Sequence, residues 1–402
     1  MSGPADDPRG GSPAHRAAGL RMTGAAELRI GIAGYGMMGR AHCYGYRVAP
    51  LIHALPVTPA VSVMSGRNEA ALAAAAAACG VPEHVTDWRR LVERDDVDVM
   101  DICTPPGTHA EIAQAAAAAG KAVLCEKPLA VTFAQAAAAL SAVTRAGVHN
   151  AVGFNYRRLP AVALMRRMIA DGAVGEVRLW RANWLSDEFT DPATPFDWRF
   201  DRAMGGTTIA DLGSHLIDLA RWMVGEISEV SAQSQTFIGR RPLPDGGSRA
   251  VTVDDASAAL LRFASGARGT MEVARAAVRR PCDFTVEVNG SSGTLMFSYA
   301  RLNELWYGSD AGDPGRYGMQ RIRAEHPSHP YTAGWWPIGQ GIGYGASFAN
   351  QVADLLAGWP DAPWVPGFAD GAAVQAVCEA MELSAARDRW VALTEITAGP
   401  PA

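Results

Sequence analysis

The sequence predicts an α/β protein of two domains, the first with a doubly wound parallel sheet and the second an α+β domain with an open, mostly antiparallel sheet. Two patterns predict it. Over residues 27–150, short apolar runs alternate with helix-like stretches, as in β-α-β units. Over residues 151–402, strand-like runs follow one another with Gly and Pro between them, which is typical of antiparallel sheets. The 402 residues are enough to form two hydrophobic cores.

Composition and charge exclude two classes of protein. A formal net charge of -5 with no basic stripe argues against nucleic-acid binding. No run approaches the roughly 20 apolar residues of a membrane span. Residues 1–26 are rich in Gly, Pro and Ala and lack an apolar signal-peptide core, so we expect a disordered extension, with either Met1 or Met22 as the true start. Six cysteines without a CxxC pair indicate a reducing cytoplasm.

The first predicted strand, residues 28–33, leads into a glycine-rich turn with the pattern GxGxxG over residues 34–39. The first glycine allows a tight turn, the second a close approach of a pyrophosphate, and the third close packing of helix against strand. The N-terminus of the following helix supplies amides and a positive dipole for the phosphates. The pattern therefore predicts that a dinucleotide binds at Gly34, Tyr35, Gly36, Met37 and Met38.

The second strand, predicted over residues 60–64, ends without the acidic residue that usually binds a ribose 2′-hydroxyl. Gly66 stands in that place and is followed by Arg67. A glycine removes the repulsion between a carboxylate and a 2′-phosphate, and Arg67 can either pair with that phosphate or simply point to solvent. The sequence therefore leaves both NAD and NADP open as the cofactor.

The third strand, predicted over residues 97–103, ends in a loop that contains Thr104, Pro105 and His109. Parallel strands place their carboxyl ends at one edge of the sheet, so this loop is expected to border the cofactor. His109 contacts the cofactor there or caps the helix that follows over residues 110–120, and the structural role is the favoured one.

Lys127 lies two residues after the strand predicted over residues 122–125, at the edge where ligands of open α/β sheets bind. Pro128 removes a backbone donor, so the strand cannot continue. A lysine held there can act as an acid or as a hydrogen-bond donor, and both Glu126 and Lys127 are expected to bind the cofactor. A helix over residues 133–145 and a strand over residues 148–153 complete the predicted sheet.

The second domain begins with a predicted helix over residues 161–171 and then changes to strands. The strand-like runs are residues 176–183, 227–237, 256–264, 268–274, 284–289 and 294–299. An antiparallel sheet of this kind can leave one face uncovered. We expect that face to join the subunits of a homo-oligomer, a dimer or a tetramer.

One helix, predicted over residues 209–222, carries the chemistry of the second domain. At about 100° per residue, Asp211, His215 and Asp218 fall on one face, opposite a stripe of apolar residues. A carboxylate and an imidazole one turn apart suit acid–base catalysis. The same pair could bind a metal, but a closed zinc site needs about four ligands and no other His/Cys cluster accompanies it, so no metal is expected.

Together these motifs resemble the Gfo/Idh/MocA oxidoreductases. The resemblance covers about residues 28–390 and rests on GxGxxG at 34–39, Thr104-Pro105 with His109, Glu126-Lys127-Pro128, Asn155-Tyr156-Arg157, Asp211 with His215 and Asp218, and Val253-Asp254-Asp255. It implies an N-terminal Rossmann domain, a C-terminal α/β domain, and hydride transfer between NAD(P) and a sugar, cyclitol or related polyol. It also implies that Lys127, Asp211 and His215 are the catalytic residues.

Within that family, the chain resembles the levoglucosan dehydrogenase-like subgroup. The resemblance lies in residues 155–164 and 198–200, in the proline-punctuated loop at 50–59 and in the tail segment 329–345. It implies oxidation at C3 of a pyranose or glycoside, although Gly66 stands where that subgroup keeps an acid. Aromatic rings suit the apolar faces of a sugar, and charged groups suit its hydroxyls. The expected substrate-binding residues are Lys127, Arg157, Asp187, Trp198, Asp211, His215, Tyr331 and Trp336.

The sequence thus favours an NAD(P)-dependent dehydrogenase that oxidises a ring secondary hydroxyl. We expect His215 to accept the hydroxyl proton, Lys127 to bridge the reacting oxygen and the ribose hydroxyls, and Asp211 to orient both. Three alternatives stay open: an inositol or cyclitol dehydrogenase, a glycoside-cleaving enzyme that oxidises C3 transiently with NAD, and a non-catalytic NAD(P)-binding sensor.

Overall fold

The computed structural model of the chain describes residues 27–311 and 313–398. It contains one sheet of parallel strands and one larger, mostly antiparallel sheet, and helices pack on both, which confirms the predicted fold class. The predicted extension over residues 1–26, including the choice between Met1 and Met22, lies outside the described residues.

The first domain is a six-stranded sheet in which all neighbouring strands are parallel. Its strands are β1 (Glu27–Ala33), β2 (Thr58–Ser65), β3 (Glu83–Val85), β4 (Val99–Ile102), β5 (Ala122–Cys125) and β6 (Asn150–Val152). Its helices are α1 (Met37–Ile52), α2 (Glu69–Cys79), α3 (Trp88–Val92), α4 (His109–Ala118) and α5 (Phe133–Ala146). The strand order β3-β2-β1-β4-β5-β6 changes direction between β1 and β4, so a crevice opens at the carboxyl ends of these two strands.

The central strands of this sheet are apolar because helices cover both of their faces. Every residue of β4 and β5 is buried, which is the usual state of central parallel strands. The sequence did not reveal β3 or α3, since elements of three and five residues are too short to show a period.

In the described part of the second domain there are eleven strands and five α-helices. The strands are β7 (Val177–Leu185), β8 (Ile227–Gln235), β9 (Arg240–Pro242), β10 (Ser248–Ala250), β11 (Ala256–Phe263), β12 (Arg268–Ala274), β13 (Asp283–Gly290), β14 (Gly293–Ser298), β15 (Glu304–Ser309), β16 (Gln320–Arg323) and β17 (Val391–Ala392). The helices are α6 (Pro160–Ala170), α7 (Ser214–Val224), α8 (Ala346–Leu356), α9 (Phe368–Arg387) and α10 (Thr394–Thr397). Strands β9 and β10 form a separate hairpin, and the other nine form one sheet of order β16-β15-β14-β13-β7-β12-β11-β8-β17. Its pairs are antiparallel except for β7 and β12, which are parallel.

The two faces of the nine-stranded sheet differ. Helices α7 and α9 pack on one face, and every second residue of β11, such as Ala259 and Leu261, is buried there. The alternate residues point to the opposite, open face. One of them is Leu260, which is 51% exposed in the middle of the sheet. A large apolar side chain at that place is a candidate contact between subunits.

Helix α8 lies late in the chain but packs on the first domain. It runs along α1, where a Cβ on Gly45 would lie only 3.0 Å from the Phe348 backbone. Val352 and Leu355 share a hydrophobic core with Ile30 of β1. The domain boundary between residues 150 and 151 stays a prediction, and the structure adds that the chain returns from the second region to cover the first sheet.

Two further features of the described part of the chain are its helix lengths and its cysteines. No helix there is both long and apolar enough to cross a bilayer. The six cysteines are all free thiols, and four of them are buried.

Candidate active site

The glycine-rich turn between β1 and α1 has the shape that a dinucleotide requires. Gly34 has a φ of +109°, and a Cβ there would lie 2.6 Å from the carbonyl oxygen of Cys103, so only glycine fits. A Cβ on Gly36 would meet nothing within 4 Å, which leaves room for a pyrophosphate. No side chain among residues 27–311 and 313–398 caps the N-terminus of α1, where Met37 is exposed and Met38 half-buried, so the first amides can bind phosphate oxygens. These residues fit an NAD-type cofactor.

The ring of Tyr35 covers the end of β2. A Cβ on residue 66 would fall inside the contact distance of Tyr35 Cδ1 and Cε1. An acidic side chain at Gly66 and the present position of Tyr35 therefore exclude each other. Arg67 is exposed, and it makes no hydrogen bond or ion pair with any other described residue. A substitution at Arg67 therefore tests the recognition of the ribose 2′ group of the cofactor without displacing Tyr35, whereas a substitution at Gly66 would displace that ring.

His109 joins the loop after β4 to the turn after β5. Its Nδ1 lies 2.8 Å from the carbonyl oxygen of Pro128, and its Nε2 lies 2.7 Å from that of Thr104. The ring is fully buried, and this burial lowers the pKa of His109. Since both nitrogens face the protein, the geometry favours the structural role of His109 over a cofactor contact. Thr104 and Pro105 are half-buried beside it.

Lys127 and Asp211 form an ion pair between the two domains. Lys127 Nζ donates to Asp211 Oδ1 at 2.9 Å and to the Asp211 carbonyl oxygen at 2.8 Å. The two side chains are 15% and 16% exposed, so the pair is accessible from solvent. Burial alone would raise the pKa of Asp211, but the charges of Lys127 and Arg275 hold it well below its usual value. Asp211 is therefore ionised at neutral pH.

The helix that carries Asp211 does not start as an α-helix. Residues Ile209–Gly213 form a π-helical turn, and α7 begins at Ser214. The predicted spacing of about 100° per residue is therefore wrong before Ser214, because a π-turn is wider than an α-turn. The Thr208 amide donates to Asp254 Oδ1 at 3.0 Å and anchors the start of this turn. Such turns are frequent at functional sites.

His215 lies in the first turn of α7 among aromatic rings. Trp184 stacks on it with ring centroids 5.5 Å apart, and Tyr156 meets it edge-on at 4.6 Å. The residue is buried, and its Nδ1 has no hydrogen-bond partner in the described ranges. Burial, together with the charge of Lys127, lowers the pKa of His215 well below its usual value. His215 is thus neutral at neutral pH and can accept a proton.

Arg157 and Asp218 pair with each other. Arg157 donates from Nε to Asp218 Oδ2 at 2.8 Å and from Nη2 to Oδ1 at 2.5 Å, and both residues are buried. This bidentate pair uses one whole edge of the guanidinium. Asp218 therefore does not join Asp211 and His215, although all three were predicted on one helix face. The substrate contact predicted for Arg157 is not favoured by this geometry.

Trp198 and Asp187 are both half-buried, and they precede the π-helical turn at Ile209–Gly213 in the chain. The Arg199 guanidinium stacks over the Trp198 ring at 4.5 Å. Arg199 is also close enough to Asp211 to help lower the pKa of that carboxyl group. Trp198 is thereby linked to the site through its neighbour, and its contact with substrate stays a prediction, as does that of Asp187.

Tyr331 and Trp336 belong to the tail segment and lie differently from each other. Tyr331 sits beside Asp354 of α8, and burial raises its pKa to about 12. Trp336 is 57% exposed and packs against Trp335. Neither makes a hydrogen bond or ring contact with the three catalytic candidates in the part of the chain that is described. Their substrate contacts stay predictions.

Arg275 and Glu188 were not predicted as site residues. Buried Arg275 donates to the carbonyl oxygen of Gly206 at 2.9 Å, and its Nη1 lies 3.7 Å from Asp211 Oδ2. Desolvation and then the charge of Asp211 raise the pKa of Glu188. These residues follow β12 and β7, whose ends lie side by side because the two strands are parallel. The strand pattern indicated a mostly antiparallel sheet and did not show which strands are parallel, so it carried no signal for this meeting.

Tyr344 was also missed as a site residue, although it lies in the tail segment on which the subgroup resemblance rests. Its ring lies 5.7 Å from that of Tyr156, which in turn contacts His215. Burial raises the pKa of Tyr344 to about 12.

The arrangement as a whole offers a neutral imidazole, an ionised carboxylate and a lysine at the edge of a nucleotide crevice, which suits removal of a proton from an alcohol as a hydride leaves.

Known proteins share this arrangement of domains. A family described as an oxidoreductase family with an NAD-binding Rossmann fold matches residues 28–154, and the GFO/IDH/MocA C-terminal domain matches residues 162–296. Levoglucosan dehydrogenase from Pseudarthrobacter phenanthrenivorans is 38% identical over 389 residues, which are 92% of this chain and 100% of that protein. Myo-inositol 2-dehydrogenase from Thermotoga maritima is 28% identical and covers 72% of this chain and 80% of its own length.

Solved structures agree with these matches. Levoglucosan dehydrogenase in complex with NADH superimposes with a TM-score of 0.89 at 38% identity, over 91% of this chain and 99% of that chain. An oxidoreductase domain protein from Kribbella flavida superimposes with the same TM-score of 0.89 at 44% identity, over 92% and 99%. The chain therefore belongs to the Gfo/Idh/MocA oxidoreductases, and it is an enzyme that acts on CH–OH groups with an NAD-type cofactor.

Proposed function

We propose that this enzyme oxidises a ring secondary hydroxyl, at C3, of a pyranose, an anhydrosugar or a glycoside, with NAD as the hydride acceptor. The observation that carries the proposal is the Lys127–Asp211 pair next to a neutral His215 at the nucleotide crevice. The identity of 38% to levoglucosan dehydrogenase over 92% of the chain supports a sugar as the substrate.

In the proposed reaction, each of the three residues has one task. His215 takes the hydroxyl proton on its imidazole ring, since the ring is held neutral. Lys127 donates to the reacting oxygen and stabilises the negative charge that develops there. Asp211 holds Lys127 by two hydrogen bonds and offsets the positive charge that appears on His215. When bound, NAD supplies the carbon that accepts the hydride.

A cyclitol is the second candidate substrate, because an inositol dehydrogenase is among the relatives. A glycoside-cleaving enzyme that oxidises C3 transiently would return the hydride to its product, and a sensor would transfer none. Net reduction of the cofactor therefore separates the proposed dehydrogenase from both of these alternatives.

The test is formation of NADH with levoglucosan, methyl glucosides, myo-inositol and lactate, followed by NMR of the product. With levoglucosan or a glucoside, we expect one molecule of NADH to form for each molecule of 3-keto sugar. Turnover confined to myo-inositol would establish the cyclitol reading instead. Turnover confined to lactate, a ketone at another carbon, or glycoside cleavage without NADH would refute the proposal.

We propose that no metal takes part in this reaction. Within the described ranges, His42, Asp101 and Cys103 are close enough together to hold an ion. However, the two ring nitrogens of His42 already face carboxylate oxygens of Asp101 and Glu126, at 2.8 Å and 2.9 Å. Dialysis against EDTA should leave the rate of NADH formation unchanged, and a loss that zinc restores would contradict this expectation.

Arg67→Ala tests the choice between NAD and NADP. If Arg67 pairs with a 2′-phosphate, its loss should raise the KM for NADP about tenfold, the effect of roughly 1.4 kcal/mol, and leave the KM for NAD within about twofold. Arg90→Ala, at an exposed arginine of α3, is the matched control and should change neither constant. Equal changes in both constants for Arg67→Ala would show that this loop does not distinguish the cofactors.

We propose that the open face of the nine-stranded sheet joins the subunits of a dimer or tetramer. Leu260→Arg should then split the oligomer, because an unpaired charge buried in an interface costs several kcal/mol. Light scattering coupled to gel filtration measures the mass. Leu51→Arg is the control, since Leu51 is exposed on α1, far from that sheet in sequence and domain. An unchanged mass for Leu260→Arg would place the interface elsewhere.

We also propose a cytoplasmic location. Its support is the set of six free cysteines, which include Cys43 and Cys79 in neighbouring positions. Two thiols in such close proximity would be expected to form a disulfide bond in an oxidising compartment.

A further inference from the structure

Behind the turn that carries Lys127 lies a buried row of three side chains that the proposed reaction does not use. His42, on α1, stands between Asp101 at the end of β4 and Glu126 just after β5. Its Nδ1 lies 2.8 Å from Asp101 Oδ2, and its Nε2 lies 2.9 Å from Glu126 Oε1. All three residues are buried. Burying ionisable groups is costly unless they are paired, so this row requires an explanation.

The hydrogen-bond pattern suits a charged ring in this row. Both ring nitrogens of His42 lie within hydrogen-bond distance of a carboxylate oxygen, and an imidazolium can donate from both of them. Burial is the largest single effect and lowers the pKa of His42, but the charge and hydrogen bond of Asp101, together with Cys103, raise this pKa well above its usual value. The other groups around Asp101 are neutral donors: the Cys103 thiol lies 3.5 Å from its Oδ1, and the Tyr46 hydroxyl also bonds to it. His42 is the cation that holds the two carboxylates together.

Glu126 connects this row to Lys127. Its Oε1 is bound by His42, and its Oε2 accepts a hydrogen bond from the backbone amide of Lys127 at 3.1 Å. Gly153 packs on the same carboxylate, since a Cβ there would lie 2.7 Å from Oε1. The carboxylate is thus fixed at both oxygens, and the backbone of Lys127 is fixed to it. The side-chain ammonium group of Lys127 is held by Asp211.

We propose that His42 is a positioning residue for Lys127. As the cation between Asp101 and Glu126, it fixes the Glu126 carboxylate, which holds the Lys127 amide and thereby sets the place that Nζ reaches. This inference rests on the proposed function of Lys127. A row with a merely structural role would affect the stability of the fold and leave Lys127 where it is.

The first test compares His42→Gln and His42→Leu in the holoenzyme. Glutamine keeps a donor for one carboxylate and leucine keeps none, so kcat should fall in the order wild type, His42→Gln, His42→Leu, with a loss of about 10²-fold for the last, the usual effect of a misplacement near 1 Å. The KM for the sugar and the Kd for NAD should stay within about threefold. His53→Gln, just beyond the far end of the same helix, is the control, because the His53 ring bonds to Asn350 and packs edge-on against Trp335.

A second variant reaches the same carboxylate from another side. Gly153→Ala should push Glu126 away from His42 without changing any charge, and it should reproduce the loss of kcat seen for His42→Gln. It also keeps the inference testable if His42→Leu does not fold. Variants that lower the melting temperature but keep the kcat of the wild type would show that the row is structural only, and would overturn the proposal.

A readout without substrate separates this inference from the proposed function. The chain has only two lysines, Lys121 and Lys127, so labelling with trinitrobenzenesulfonate and peptide mass spectrometry reports Lys127 against an internal reference. We expect His42→Gln and Gly153→Ala to change the labelling rate of Lys127 and not that of Lys121. If the wild type oxidises no sugar, the proposed function fails while this measurement still stands. If the labelling rate of Lys127 is unchanged, the positioning role fails.

Discussion

Lys127→Met is expected to lower turnover by about 10²-fold or more, the usual contribution of a group that takes part in proton transfer. Methionine keeps much of the length of the side chain but removes the donor that binds Asp211 and reaches the reacting oxygen. The phosphate cradle at Gly34 and Gly36 is untouched, so the titration of NAD followed by fluorescence should stay near that of the wild type. Steady-state NADH formation at saturating sugar measures the effect.

The matched control for this substitution is Lys121→Met, at the other lysine of the chain. Lys121 lies just before β5 and Lys127 just after it. Lys121 Nζ donates to the carbonyl oxygens of Arg94 and Val97 at 2.6 Å and 2.8 Å. Lys121→Met should therefore lower the stability of the fold and leave kcat unchanged. If turnover of Lys127→Met stays within a few-fold of the wild type, the role assigned to Lys127 is wrong.

His215→Asn should reduce kcat by about 10²–10⁴-fold, because the amide of asparagine cannot accept the hydroxyl proton. The pH dependence gives a second measurement. The folded protein keeps His215 neutral below its usual pKa of 6.5, so kcat/KM of the wild type should not fall through loss of this base as the pH is lowered to that value. A decline centred near 6.5 that disappears in His215→Asn would contradict the low pKa.

The same shift of the pKa predicts a change in stability with its sign. The unfolded chain protonates His215 near pH 6.5 and the folded chain does not, so the unfolded state binds more protons and the free energy of unfolding falls as the pH drops below that value. His215→Asn should weaken this fall.

The control for the activity measurement is His149→Asn. Burial also lowers the pKa of His149, but its ring packs on Trp359 and bonds to the carbonyl oxygen of Pro360.

Local features of the site were predictable from the sequence. The turn at Gly34 and the lysine after β5 each lie within two residues of the end of a strand, and the carboxyl ends of parallel strands meet at one edge whatever the rest of the chain does. The pairing of Lys127 with Asp211 spans 84 residues, and no period or spacing contains it. It was expected only because the motifs resemble those of a known family.

Other features depend on contacts that a one-dimensional pattern does not contain. Asp218 has the right spacing to join His215, but an arginine 61 residues away, Arg157, takes it as a partner. The π-helical turn before Ser214 shifts the face of the helix, and a spacing rule for an α-helix does not include it. Tyr35 lies over Gly66, so a position that was interpreted through charge is also controlled by the space that a ring occupies.

Helix α8 bears on how the protein is made in the cell. The core under β1 is completed by α8 and by residues as late as Trp364, about 210 residues after the end of β6. At roughly 5–20 residues per second, a ribosome needs about 10–40 seconds to add that length. During this time the nascent first domain exposes the part of this core that α8 and the residues around Trp364 later cover. We therefore expect the emerging chain to need chaperones at the ribosome exit, and a chain stopped just before α8 to aggregate although every phosphate-binding residue is present.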